Sequence, residues 1–174
     1  MLLNALRAGF IAGSCKRFDT ILDVGYGNGL FLSTVESLFR FRYGYDVTDI
    51  PVPESATKVD SIADRHYDVI TFFDSLEHIK NLDFVENLSC KYIVVSVPYC
   101  HWKSDKDDIW FRDHYKHRRE NEHYWHFSPE SLQIFMFTRG YRTIVGNAQI
   151  EDIVRTPYDD RQNIITACFK KIIP

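Results

Sequence analysis

Apolar positions change their period along this chain, and each change marks an element. Leu2 to Ala12 is apolar but interrupted by Asn4, Arg7 and Gly9, which predicts a helix over Met1 to Ser14. Ile21 to Val24 is a short strand run, and Leu30, Phe31, Val35, Leu38 and Phe39 then recur at helical spacing. Phe41 to Asp46 predicts a second strand. Tyr67 to Phe73, Y-D-V-I-T-F-F, is the continuous apolar run of a parallel strand covered on both faces. Leu82 to Leu88 predicts a short helix, and Tyr92 to Val97 a further strand stopped at Pro98. Ser128-Pro129-Glu130-Ser131 is a helix start: Ser128 caps, Pro129 suits the first helical position, and Leu132, Phe135 and Met136 follow. Gly140 ends that helix, and Tyr141 to Val145 and Ile164 to Phe169 are the last two strands. Strands alternating with helices predict an α/β domain on a mostly parallel sheet.

Two stretches break the alternation. Only 20 residues separate Asp46 from Tyr67, and Pro51 and Pro53 forbid a regular helix among them. A parallel crossover needs a dozen or more residues. A third strand at Thr57 to Asp60 therefore fits only if its flanking helices are lost or reduced to loop. The second stretch is Pro98 to Phe127. It holds five of the seven histidines, His101, His114, His117, His123 and His126, and all three tryptophans, Trp102, Trp110 and Trp125. A long connection in an otherwise trimmed domain predicts function, and aromatic bodies with polar tips suit a wall over a small ligand. The chain reads as one domain, 1–174, with a lid-like insertion at about 99–127.

The densest local signal lies between the first strand and the first helix. Gly25, Gly27 and Gly29 fall within five residues. Glycine accepts positive φ and lets backbone approach a ligand that a Cβ would repel. A nucleotide-like ligand is expected over Gly25 to Gly29. The dinucleotide fingerprint G-x-G-x-x-G fails, because its third glycine position, counted from Gly25, is Leu30. What stands is Asp23-x-Gly25-x-Gly27-x-Gly29. Asp46 ends the second strand about 20 residues on, where an acid can accept ribose hydroxyls.

The D-x-G-x-G-x-G string resembles the first motif of the class I S-adenosylmethionine-dependent methyltransferases. D-V-I-T-F-F-D-S-L-E-H-I, from Asp68 to Ile79, and Glu122-His123-x-x-x-Phe127-Ser128-Pro129-Glu130-Ser131-Leu132 resemble segments of their small-molecule members related to the ubiquinone-biosynthesis O-methyltransferases. The resemblance covers most of the chain and thins from Val47 to His66 and from Cys100 to Asn121. It implies a three-layer Rossmann-like sheet in the order 3-2-1-4-5-7-6, with an antiparallel C-terminal hairpin and trimming around strand three. It implies S-adenosyl-L-methionine as cofactor, held by Asp23, Gly25, Tyr26, Gly27, Asn28, Gly29, Asp46, Val47, Phe73 and Asp74. Asp60 and Ser61 are the candidates beside the adenine.

Composition narrows the class. Apolar content of 45% and charged content of 26% fit an ordinary globular domain. A net charge of −3 gives no general pull toward nucleic acid or anionic membrane. Cys15, Cys90, Cys100 and Cys168 form no C-x-x-C pair, which predicts a reducing, cytoplasmic setting. The N-terminal apolar stretch is too short to span a bilayer and lacks a signal-peptide layout.

Methyl transfer is an in-line displacement at a sulfonium methyl. The protein supplies position, a dry pocket and, for a hydroxyl acceptor, a base. Asp74, His78 and His123 are the candidate catalytic residues. His126 is a weaker candidate, more simply read as surface. In the ubiquinone-pathway relatives, an acid followed by Glu-His holds a divalent metal, and Asp74, Glu77 and His78 share that spacing. The same Glu-His pair occurs in relatives without metal, where it starts a helix, and no metal is assigned. No cysteine stands at zinc spacing near the lid histidines. Arg112, Lys116, Arg118 and Arg119 read as a solvated face or as a grip on a substrate anion. The expected acceptor is a small molecule, methylated on oxygen, a sugar or secondary metabolite being examples, with a homodimer compatible. Three alternatives stand beside it: a cofactor-binding protein without transferase activity, a nicotinamide-dependent enzyme, and a nucleic-acid methyltransferase. The last is disfavoured because Phe73-Asp74-Ser75-Leu76 replaces the N/D/S-P-P-Y/F string of base amino-methylation.

Overall fold

A computed structural model describes residues 1–102, 108–155 and 161–172. Helix α1 (Leu2–Ser14) leads into strand β1 (Thr20–Val24), and the glycine turn leads into α2 (Leu30–Thr34) and β2 (Phe41–Tyr45). A two-residue β3 (Thr57–Lys58) and a long β4 (Tyr67–Phe73) follow, then β5 (Cys90–Pro98), α3 (Asp108–Asp113), α4 (Pro129–Thr138), β6 (Tyr141–Ala148) and β7 (Ile164–Lys171). The seven strands form one sheet in the order β3-β2-β1-β4-β5-β7-β6. β5 to β7 and β7 to β6 are antiparallel pairs, and the rest are parallel. This is the implied order.

The trimming falls where the prolines put it. No α-helix stands between β2 and β4, and β3 is two exposed residues paired to Tyr43 and Gly44. The predicted helix at 82–88 is a 3₁₀ turn, Asp83–Asn87, and a second 3₁₀ turn, Leu76–His78, follows β4 directly. Helix α2 is five residues rather than ten, and turns carry Val35 and Phe39 into the core. The α4 start agrees with its sequence: Ser128 and Ser131 exchange side-chain-to-backbone hydrogen bonds as a capping box.

Alternation along β1 and β4 divides the core into two faces. Leu22, Val24, Ile70 and Phe72 pack with Leu76, Leu82, Leu132 and Met136 on the α4 face. Ile21, Val69 and Phe73 pack with Ala8, Ile11, Phe31 and Val35 on the face of α1 and α2. The result is three layers, and α1 lies directly over the sheet edge where the glycine turn emerges.

Candidate active site

Gly25, Gly27 and Gly29 all adopt positive φ, at 80°, 52° and 72°. They are not equivalent. A Cβ on Gly25 would stand 2.6 Å from the Ser75 Cβ, and one on Gly29 2.6 Å from the Pro53 Cδ. Those two glycines let the turn pack against its neighbours. A Cβ on Gly27 would meet nothing within 4 Å, so this glycine faces open space.

The Gly27 N–H donates to Asp46 Oδ2 at 3.0 Å, and Asp46 Oδ1 accepts the Thr48 N–H and hydroxyl at 2.9 and 2.8 Å. Burial alone would push the Asp46 carboxyl up. The hydrogen bonds from Thr48 and Gly27 outweigh burial and hold it below the usual carboxylate range. Asp46 is thus an ionised acceptor fixed at the end of β2. It lines a cavity of about 300 Å³ with Val24, Gly25, Tyr45, Val47, Asp74, Ser75, His78 and Ile79.

Several predicted contacts differ. Tyr26 is 4% exposed and its hydroxyl donates to the Ile50 carbonyl, so its ring props the turn from below. Asn28 Oδ1 accepts the Leu30 N–H at 3.2 Å, a local bond at the start of α2. Phe73 packs into the core edge-on to Phe31, with the Arg7 guanidinium 4.4 Å above its ring. Asp60 and Ser61 do not line the cavity; the Ser61 hydroxyl accepts the Ala63 N–H within its own loop. Strand β3 stops at Lys58, although the Val59 N–H still donates to the Gly44 carbonyl at 2.9 Å. Asp23 lies beneath the turn, 3% exposed, accepting the Thr71 hydroxyl at 2.7 Å. Burial raises its pKa to about 6.

A second cavity of about 200 Å³ adjoins the first, lined by Asp74, Glu77, His78, Pro98, His117, Arg119, Glu122, His123, Arg155 and Ile164. Asp74 and His78 line both cavities. The segment 99–127 supplies four of these residues. It is tied at its ends by the Tyr99–Phe127 bridge and the Cys100 N–H to Phe127 carbonyl bond of 2.8 Å. The Tyr124 N–H donates to the Glu77 carbonyl at 2.8 Å and Trp125 Nε1 to the Ile79 carbonyl at 2.9 Å. These bonds stitch the His123 region onto the 3₁₀ turn after β4.

The shared wall is strongly polar. Asp74 Oδ2 accepts from Nη2 of both Arg7 and Arg155, and Arg7 Nε donates to Glu151 Oε1 at 2.7 Å. Burial would raise the Asp74 pKa; the charges of Arg155 and Arg7 outweigh it and hold the carboxylate ionised. A carboxylate clamped by two guanidiniums is a poor proton acceptor. That argues against the base role expected for Asp74. Arg7, Arg155 and Glu151 carried no motif signal, and only their convergence in space reveals them.

The histidines divide. His78 donates Nδ1–H to the Glu122 carbonyl at 3.0 Å, which leaves Nε2 as the lone-pair nitrogen. His123 stands edge-on to it at 4.5 Å between ring centroids. Burial lowers the His123 pKa to about 4, so its ring is neutral at pH 7. His117 donates to Asn163 Oδ1 at 2.8 Å. His126 packs against Phe111 and Tyr115, away from the cavity, and His101 stacks on Tyr99. Of Arg112, Lys116, Arg118 and Arg119, only Arg119 lines this cavity.

Glu77 is 1% exposed, and burial raises its pKa to about 8. Its Oε2 and the His123 Nδ1 are buried without a hydrogen-bond partner. Glu77, His78 and His123 each place a ligand atom within 4.8 Å of the others. This is an N/O donor set of the kind a divalent first-row cation takes. It differs from the Asp74, Glu77, His78 set: the arginines occupy Asp74, and His123 stands in.

Residues 4–144 match the family model described as a methyltransferase domain. The chain belongs to the methyltransferase-domain family. Its cofactor is S-adenosylmethionine. The methyltransferase has the fold of many solved structures. One is the methyltransferase complexed with the Trm112 activator of Haloferax volcanii, at 12% identity and TM-score 0.68, covering 98% of this chain and 90% of that one. Another is the Burkholderia thailandensis 1,6-didemethyltoxoflavin-N1-methyltransferase with its acceptor and S-adenosylhomocysteine, at 13% identity and TM-score 0.65, covering 98% and 77%. A third is the Synechocystis magnesium protoporphyrin IX methyltransferase with S-adenosylhomocysteine, at 11% identity and TM-score 0.62, covering 97% and 83%. Among curated proteins, none matches the sequence. No helix among the described residues is long and apolar enough to cross a membrane.

Proposed function

We propose that this methyltransferase transfers the methyl group of S-adenosylmethionine to an oxygen of a small polar acceptor. The carrying observation is the common wall of Asp74 and His78 between the glycine-turn cavity and its neighbour. The cofactor lies over Gly27, with Asp46 accepting its ribose hydroxyls. The acceptor occupies the second cavity, whose roughly 200 Å³ and charged lining suit a compact hydroxylated molecule. The Burkholderia neighbour, which shares the fold, is bound to a small-molecule acceptor.

His78 Nε2 takes the acceptor proton in this reading. Its Nδ1–H bond to Glu122 fixes the tautomer that leaves Nε2 basic. Asp74 then acts as a positioning residue that holds α1 and Arg155 against the wall. The orphaned Glu77 Oε2 and His123 Nδ1 favour a second reading of the same wall. There Glu77, His78 and His123 would hold a divalent cation, whose chemistry would be to make an acceptor hydroxyl more acidic. Turnover of labelled S-adenosylmethionine against a panel of hydroxylated metabolites tests the reaction. His78→Ala should abolish transfer while S-adenosylhomocysteine still binds. Activity that survives His78→Ala overturns the base assignment. Activity lost to a chelator and restored by manganese selects the cation reading.

A further inference from the structure

A second concave site lies at the opposite end of the sheet from the glycine turn. Lys16 and Arg17 sit between α1 and the start of β1, and Lys91 is the second residue of β5. Lys170, near the end of β7, pairs with Tyr92 on one side and with Arg142, near the start of β6, on the other. The glycine turn leaves the far end of β1, about 16 Å or more away along the strand. Two adjoining cavities, of about 530 and 280 Å³, share Lys16, Tyr92 and Lys170. Arg17 and Lys91 complete the lining of the first, and Ser14, Arg142 and Ile144 that of the second.

Five cations thus line one groove in a chain of net charge −3. Lys91 is paired with Asp68 at 2.5 Å, and Asp68 also accepts the Asp19 and Thr20 N–H groups. No carboxylate among the described residues lies within 4.0 Å of the Lys16, Arg17, Arg142 or Lys170 side-chain nitrogens. Most of the other arginines are paired, so this is a local choice rather than a general shortage of acids. A cation at the C-terminus of α1 complements the helix dipole, which accounts for Lys16 and Arg17. It does not account for Arg142 and Lys170, which the strand register brings in from two other elements.

We propose that this groove binds an oligophosphate anion, such as the phosphate tail of a nucleotide, independently of the methyl-transfer site. Clustered like charges in a concavity focus a positive potential and concentrate anions. A single carboxylate would neutralise only one of the four uncompensated cations. Two joined cavities of a few hundred Å³ are the scale of a small ligand. A long nucleic-acid backbone would extend beyond the groove over a surface of net negative charge, which favours the compact anion.

Calorimetric titration of the whole protein with tripolyphosphate, at low salt, tests this. Expected is saturable one-to-one binding that S-adenosylhomocysteine does not displace. The exposed pair K16E/R142E should weaken it by about tenfold or more, the size of one or two lost charge-assisted hydrogen bonds. Cofactor binding should be unchanged in that variant, which shows that it is folded; K16Q/R142Q, free of charge reversal, should fall between the two. Absence of saturation, equal affinity in both variants, or displacement by S-adenosylhomocysteine overturns the proposal. A single-stranded oligonucleotide that binds more tightly than tripolyphosphate also overturns it, in favour of a nucleic-acid surface.

Discussion

Arg7 Nη2 lies 2.7 Å from Asp74 Oδ2, joining the N-terminal helix to the residue that follows the central strand. Asp74 itself has φ 56°, an unusual backbone conformation for a non-glycine residue, which its contacts hold in place. Arg155 approaches the same oxygen from the C-terminal half of the chain, and Glu151 links the two arginines.

Removing the Asp74 carboxylate leaves two guanidiniums facing each other, one of them almost fully buried. Breaking a buried pair from one side costs about 3–5 kcal/mol. The Asp74 side chain is 35% exposed and Glu151 still pairs with both arginines, which places the expected loss for Asp74→Ala below that range, about 1–3 kcal/mol. Denaturant unfolding measures it. A variant as stable as the parent would show that the clamp holds nothing together.

The stability contributed by Asp23 and Glu77 should fall as pH rises from about 4 to 8. Burial raises Asp23 from its ordinary 3.8 to about 6 and Glu77 from 4.5 to about 8. Each folded-state value lies above the unfolded one. The stability each contributes is therefore complete below its unfolded pKa and lost as pH rises through its folded pKa. Each pKa unit is worth about 1.4 kcal/mol. Asp23→Asn should flatten the Tm profile between about pH 3.8 and 6 and Glu77→Gln between about pH 4.5 and 8, measured with a chelator present. Profiles that keep their slopes would contradict these burial effects.

Gly29 and Gly27 should respond differently to alanine. Gly29→Ala carries about 1–2 kcal/mol of left-handed strain and must also displace Pro53. Gly27→Ala carries the strain alone. Thermal melts should place Gly29→Ala clearly below Gly27→Ala, and the reverse order would refute the packing assigned to the turn.

Asp46→Ala should weaken S-adenosylhomocysteine binding about 10–100-fold, the effect of losing a charged hydrogen bond. Part of that loss comes from releasing the Gly27 N–H. Unchanged affinity in a calorimetric titration would count against the ribose contact.

The sheet was legible because its signals are local. Strand β4 has the predicted bounds, and Pro51 and Pro53 announced the missing helices around β3. The glycine turn and Asp46 were legible for the same reason, since a strand end and a turn fix both. What escaped the sequence is long-range. Arg7 and Asp74 stand 67 residues apart and only α1 packing joins them. Arg155 and Glu151 lie in a connection with no motif. The meeting of Glu77 and His78 with His123 depends on how the segment before α4 folds back onto the 3₁₀ turn. The place of the Tyr26 ring was likewise hidden, because it depends on the space left open by Gly44 in another strand; a Cβ on Gly44 would lie 2.7 Å from that ring.

The account rests most heavily on the space above Gly27. Asparagine tolerates the left-handed conformation yet fills that space with a side chain. Calorimetric titration of Gly27→Asn with S-adenosylhomocysteine, beside a thermal melt, is the most direct measurement. The account predicts a folded protein whose binding has fallen below detection. A folded Gly27→Asn protein that binds with the parent's affinity would place the cofactor elsewhere and contradict the account.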